Sequence, residues 1–75
     1  MPFIHIRAYA GRDEEAKRAV AEAVAKAASE AMGAPESAFT VAFEDVDKEK
    51  WRSDVAEAII EPMRDKLLIE RGKRV

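Results

Sequence analysis

A chain of 75 residues makes one domain near the lower limit of what folds alone, and without cysteine it has no disulfide or zinc–thiolate staple. Hydrophobic residues make up 48%, but 15 of them are alanine, so large apolar side chains are few and a second copy of the chain is the remaining staple. A net charge of −2 argues against the basic face of a nucleic-acid binder, and no apolar run nears the ~20 residues of a membrane span.

The chain opens MPFIHIRAY, and Phe3 to Tyr9 alternate as a strand does, with Ile4, Ile6 and Ala8 on one side and Phe3, His5, Arg7 and Tyr9 on the other. Gly11 permits a turn, and Asp13 is a good helix N-cap. The stretch from Asp13 to Gly33 reads as a long helix, with Glu14 and Glu15 favourable in its first turn and Gly33 as its terminator, followed by Pro35. Ala16, Val20, Ala23, Val24, Ala27 and Ala31 form its expected buried stripe.

A second strand is expected near residues 38–46, with Phe39, Val41 and Phe43 on one face, Ala38, Thr40 and Ala42 on the other, and both faces covered. Strand, helix and strand with short links make a βαβ unit, whose strands should be parallel and whose crossover right-handed. Asp47 is placed to cap a short turn ending near Trp51, and Asp54 with Glu57 resembles a capping box for a second helix. Val55, Ile59, Met63 and Leu67 line one face of that helix, and Pro62 should kink or restart it. The last residues are expected to fray. The whole chain, 1–75, is read as a single α/β domain of order β-α-β-α. The N-terminus lacks the charged-then-apolar order of a signal peptide, which makes the cytoplasm the expected compartment.

Most catalytic constellations are missing. The single histidine, His5, has no carboxylate at a metal-ligand spacing and reads as a strand or interface residue. The serines occupy helix, turn and cap positions, and the three glycines are too scattered for a phosphate loop. Pro2 is left. Proline donates nothing to a sheet ladder, yet it stands at the head of a strand. A small second residue normally allows removal of Met1, which would leave a secondary amine at the chain start. An α-amino group titrates near ~7.7–8, and burial or a neighbouring cation lowers that value, which makes a usable base near neutrality. On residue type alone, a merely tolerated second residue is the alternative.

Pro2, the alternating strand, Gly11-Arg12, a helix of about twenty residues, Ala34-Pro35, a second strand and Trp51 follow in one order along nearly the whole chain. That order resembles the 4-oxalocrotonate tautomerase family of the tautomerase superfamily. The stretch from Val41 onward is similar to the short-chain dimeric branch, where a C-terminal helix follows a tryptophan. Hexameric members end in a small hairpin instead, and no glycine-rich hairpin is expected here.

The resemblance implies a catalytic role for Pro2 as general base after loss of Met1. It implies that Arg12 binds a substrate carboxylate across a subunit boundary, that Trp51 keeps the pocket apolar, and that Tyr9 stands in its wall. Thr40 occupies the position of the family's second arginine, which contacts the oxygen-bearing end of the substrate, with Arg52 and Lys50 as candidates to replace it. The implied enzyme is an isomerase that interconverts enol and keto forms of small 2-hydroxy-dienoate or aryl-enolpyruvate acids. It would use no cofactor or metal and would pair as a homodimer with a four-stranded sheet. The alternatives are a superfamily dehalogenase or hydratase with protonated proline as the acid, or an oligomeric binding module if Met1 is retained.

Overall fold

Strand β1 (Phe3–Tyr9), helix α1 (Glu14–Met32) and strand β2 (Thr40–Val46) form the βαβ unit in a computed structural model that describes residues 1–75. The two strands are parallel, in register from Phe3 opposite Thr40 to Tyr9 opposite Val46. Helix α1 begins as its sequence dictates, with Asp13 Oδ1 accepting from the Ala16 N–H at 2.8 Å. It ends at Gly33, whose φ of 70° only glycine adopts without strain and whose N–H donates to the Ser29 carbonyl at 3.0 Å.

The helix is rotated from the expected orientation. Lys17, Ala21, Val24, Ala25, Ala28 and Ser29 are its half-buried positions, whereas Ala16, Val20, Ala23, Ala27 and Ala31 are exposed. Alanine lies on both arcs of this helix, so hydrophobicity does not choose between them. A specific contact favours the observed arc: Lys17 Nζ bonds Asp45 Oδ2 on β2 at 3.0 Å, with the lysine side chain only 18% exposed. Its ammonium is held above its ordinary range, chiefly by that hydrogen bond.

Strand β2 starts two residues later than expected. Residues Glu36–Ala38 form a 3₁₀ turn in which the N–H groups of Ala38 and Phe39 donate to the carbonyls of Pro35 and Glu36, each at 3.0 Å. Those donors are unavailable to a ladder, so pairing begins with the Thr40 N–H on the Pro2 carbonyl at 3.1 Å. Nor are both faces of β2 closed within the chain. Its residues from Val41 to Phe43 are half-buried, and only Val46 is fully buried.

After β2, helical turns follow one another as far as Lys66, with a kink at Met63 (φ −110°, ψ 26°). A 3₁₀ turn at Lys48–Lys50 begins after Asp47, whose carbonyl, not its side chain, accepts from Lys50 at 2.9 Å. Trp51 is itself helical, at φ −57° and ψ −46°, so no N-terminus exists at Asp54 and the expected capping box does not form. Residues Arg52–Ile60 are π-helical, and the Glu61 N–H donates to the Ala56 carbonyl five residues back. Pro62 then sits in the first turn of a 3₁₀ segment, Glu61–Lys66, the restart that its missing N–H favours.

The last residues do not fray into solvent. Strands β3 (Ile69–Glu70) and β4 (Lys73–Arg74) form an antiparallel hairpin around Arg71 and Gly72, both at positive φ (51° and 81°). Two consecutive left-handed residues match the twist of a two-residue hairpin turn.

The chain is spread out for its mass. Its accessible surface is 6074 Å², against about 4,600 Å² for a compact monomer of this size. Its radius of gyration is 13.6 Å, against about 11.4 Å. Only Val46 and Val55 are buried, while Phe3, Met32, Leu68 and Ile69 are all more than 60% exposed. No helix is long and apolar enough to cross a membrane.

Candidate active site

The five residues singled out in the sequence fall at two opposite ends of the β1–β2 pair. At the start of β1, the Pro2 carbonyl accepts from the Thr40 N–H at 3.1 Å. The ladder therefore holds Pro2 through its carbonyl and asks nothing of its nitrogen. With Met1 attached that nitrogen is an amide, and Met1 itself is 99% exposed. Pro2 is half-buried and Thr40 is exposed.

At the other end of β1, Tyr9 meets Trp51 edge to face, with ring centroids 5.1 Å apart and planes at 88°. Arg12 Nη1 donates to the Tyr9 carbonyl at 3.2 Å. Gly11, at φ 133°, makes the turn that brings Arg12 back to that carbonyl. Tyr9, Arg12 and Trp51 thus form one cluster. The length of a seven-residue strand, roughly 20 Å, separates it from Pro2 and Thr40 in the same chain.

Neither cation considered as a substitute for the second arginine lies at the Thr40 end, since both follow the opposite end of β2. Arg52 is 88% exposed and pairs with Glu57 at 3.3 Å. Lys50 borders a shallow groove of about 340 Å³ beside Asp47 and Asp54. His5 Nε2 lies 2.9 Å from Glu44 Oε1, and Arg7 bonds the same oxygen at 3.1 Å across the strand pair.

The C-terminal hairpin corrects the sequence reading, which expected none and likened the chain to the dimeric branch partly on that ground. A groove of about 440 Å³ lies between it and the π-helix, and its apolar lining is Trp51, Ala56, Ile60, Leu67 and Ile69. Arg64 ties the two sides together. Its Nη1 bonds both oxygens of Glu70, at 2.9 and 3.0 Å, and its Nη2 bonds Glu61 at 2.7 Å. The guanidinium is held above its ordinary range, first by Glu61 and then by Glu70. The available signal was Arg71-Gly72, weak because arginine is an unusual left-handed residue and because only Ile69 of the flanking pairs Ile69-Glu70 and Lys73-Arg74 is β-prone.

Comparison with known proteins gives the same order of elements a family. The family model described as "Tautomerase enzyme" matches residues 2–58. A 2-hydroxymuconate tautomerase from Comamonas testosteroni is 49% identical over 51 residues, covering 68% of this chain and 81% of the relative. A probable tautomerase from Bacillus cereus is 41% identical over 51 residues, covering 68% and 84%. Tautomerase PptA from Pectobacterium atrosepticum is 32% identical over 73 residues, covering 96% of each chain. With a family model across Pro2 to Ala58 and relatives matched over most of their length, the chain belongs to the tautomerase family and is an isomerase of the 4-oxalocrotonate tautomerase type.

Proposed function

We propose that this isomerase converts a monocarboxylate enol, such as an aryl-enolpyruvate or a 2-hydroxy-dienoate, to its keto form in a site shared between two subunits. Pro2, freed of Met1, takes the enol proton on its secondary amine and returns a proton to carbon. Arg12 of the partner subunit holds the substrate carboxylate through its planar fork. Trp51 of the partner subunit keeps the site dry, which strengthens both interactions.

The observation that supports this reading is the separation of the two clusters on β1, together with the free edge of that strand. β2 occupies one edge of β1, and the other is unpaired within the chain. A second β1 pairing antiparallel about a two-fold axis would bring the Pro2 end of one chain beside the Tyr9 end of the other. The sheet would then have four strands. The exposed stripe Ala16, Val20, Ala23 and Ala27 would let the two α1 helices approach closely over it.

Sedimentation at micromolar concentration should accordingly give a homodimer or a larger assembly. A well-folded monomer would contradict the shared site.

Trp51→Ala checks the pocket wall. It removes the partner of Tyr9 and opens the site to water, so kcat/KM should fall roughly tenfold or more while the oligomer persists. Unfolding of that variant in circular dichroism would instead make Trp51 a packing anchor only.

A further inference from the structure

We propose that the groove between the π-helix and the C-terminal hairpin is a subsite for the apolar, aryl-sized tail of a carboxylate ligand, and that Arg64 is the positioning residue that fixes its outer wall. The inference rests on the site proposed above, because Trp51 belongs to both. Arg12 bonds the Tyr9 carbonyl, Tyr9 packs on Trp51, and Trp51 opens into the groove. A ligand whose carboxylate meets Arg12 would reach the groove past Tyr9 and over Trp51, the one member of that cluster that lines it. The volume of about 440 Å³ lies in the range of small-molecule sites, and five of the nine lining residues are apolar.

Charge selects the occupant. The polar lining consists of Arg64 and Arg71 with Glu61 and Glu70, which balance formally. Both terminal nitrogens of Arg64 are already engaged by the two carboxylates. Arg71 bonds neither carboxylate, but its charge is offset by the net negative Arg64 cluster, so a second carboxylate would lose its water for no net positive charge, a cost that a neutral ring does not carry.

The wall needs a tie. Its strands are two residues each, too short to persist alone, and Leu68 and Ile69 are 76% and 61% exposed. Arg64 supplies it by bonding Glu70 of β3 while also holding Glu61 at the restart of the helix. Without Arg64 the groove should lose its outer side and Trp51 its shelter.

Trp51 is the sole tryptophan, so its emission reports ligand binding independently of turnover. The test titrates the full-length protein with 3-phenylpropionate and with propionate, which share a carboxylate and differ in the ring. The ring should lower Kd at least tenfold. Ile69→Asp places a charge on the wall at an exposed position, and Arg64→Met removes the tie. Each should raise Kd for 3-phenylpropionate roughly tenfold, leave propionate within about twofold, and raise KM for phenylenolpyruvate by a similar factor with kcat little changed. Arg64→Lys, which keeps the charge but not the fork, should fall between.

Equal affinity for the two acids, or equal losses of both in the variants, would overturn the subsite. Dissociation of the oligomer by Ile69→Asp would also overturn it, because the groove would then be a subunit contact. Ring-selective binding without any turnover would uphold the subsite and count against the proposed reaction alone.

Discussion

Protein that begins at Pro2 should convert phenylenolpyruvate with a kcat/KM some 10²–10⁴ times that of the chain that retains Met1, the range of a positioned acid–base group. The effect follows from the bond at the proline nitrogen. Joined to Met1, that nitrogen is a tertiary amide whose lone pair is delocalised into the carbonyl. Released, it is a secondary amine in a half-buried position at the head of β1. Its surroundings do not otherwise need to change, because the ladder grips Pro2 only through its carbonyl. Met1 is almost fully exposed, so its removal costs no packing within the chain. Pro2→Ala should fall in the same range but keep a remnant, since a primary amine remains after processing. Intact mass fixes which form is assayed. Equal rates for the two forms would eliminate the proline base.

Substrate choice should lean towards monoacids, and Thr40→Arg should reverse the preference. A dicarboxylate brings two anionic ends into a small pocket, and each needs a partner because an unpaired buried charge is costly. In the proposed site Arg12 serves one end. At the other, Thr40 offers at most one neutral hydrogen bond from its hydroxyl. The cations that follow β2 enter such a shared site only beside the partner's Trp51, and each already has acidic neighbours: Arg52 is paired with Glu57, and Lys50 lines a groove with Asp47 and Asp54. Losing a charge-assisted contact costs about 1.5–3 kcal/mol, roughly ten- to a hundredfold in kcat/KM. The Comamonas relative, 49% identical over 51 residues, is named for 2-hydroxymuconate, a diacid, which makes that compound the natural comparison. In the native protein a monoacid enol should be preferred, and Thr40→Arg should shift preference towards 2-hydroxymuconate. A native preference for the diacid by tenfold or more would mean that another cation already meets its second end.

Local chemistry explains which parts of the fold were legible in the sequence. Asp13 and Gly33 bound α1 as expected because a cap is decided by a few adjacent residues. Period two gave β1, and Pro62 marked the restart of the helix. The rotation of α1 was not legible. It depends on Lys17 meeting Asp45, residues 28 apart, against a background of alanine on both arcs. The capping box at Asp54 failed because Trp51 continues the helix through it. The hairpin escaped because two-residue strands carry no period and Arg71 is a poor advertisement for a left-handed turn.

The candidate site divides in the same way. Pro2, Tyr9, Arg12, Thr40 and Trp51 could each be named from residue order and family resemblance. That they fall at two ends of one strand pair follows only from the parallel register, with Phe3 opposite Thr40 and Tyr9 opposite Val46. The groove beside Trp51 needed the hairpin, and so lay beyond what the sequence pattern revealed.

Mixing two crippled variants tests the shared proline site most directly. Processed Pro2→Ala lacks the base, and Arg12→Ala lacks the carboxylate clamp, so each alone should be weak. In a mixed dimer one site receives Pro2 from one chain and Arg12 from the other, while the second site receives both substitutions. Subunit exchange at equal concentrations, followed by native mass spectrometry, should therefore restore about one quarter of the wild-type specific activity. Exchange to mixed dimers with no recovery of activity would contradict a site built from Pro2 of one subunit and Arg12 of its partner.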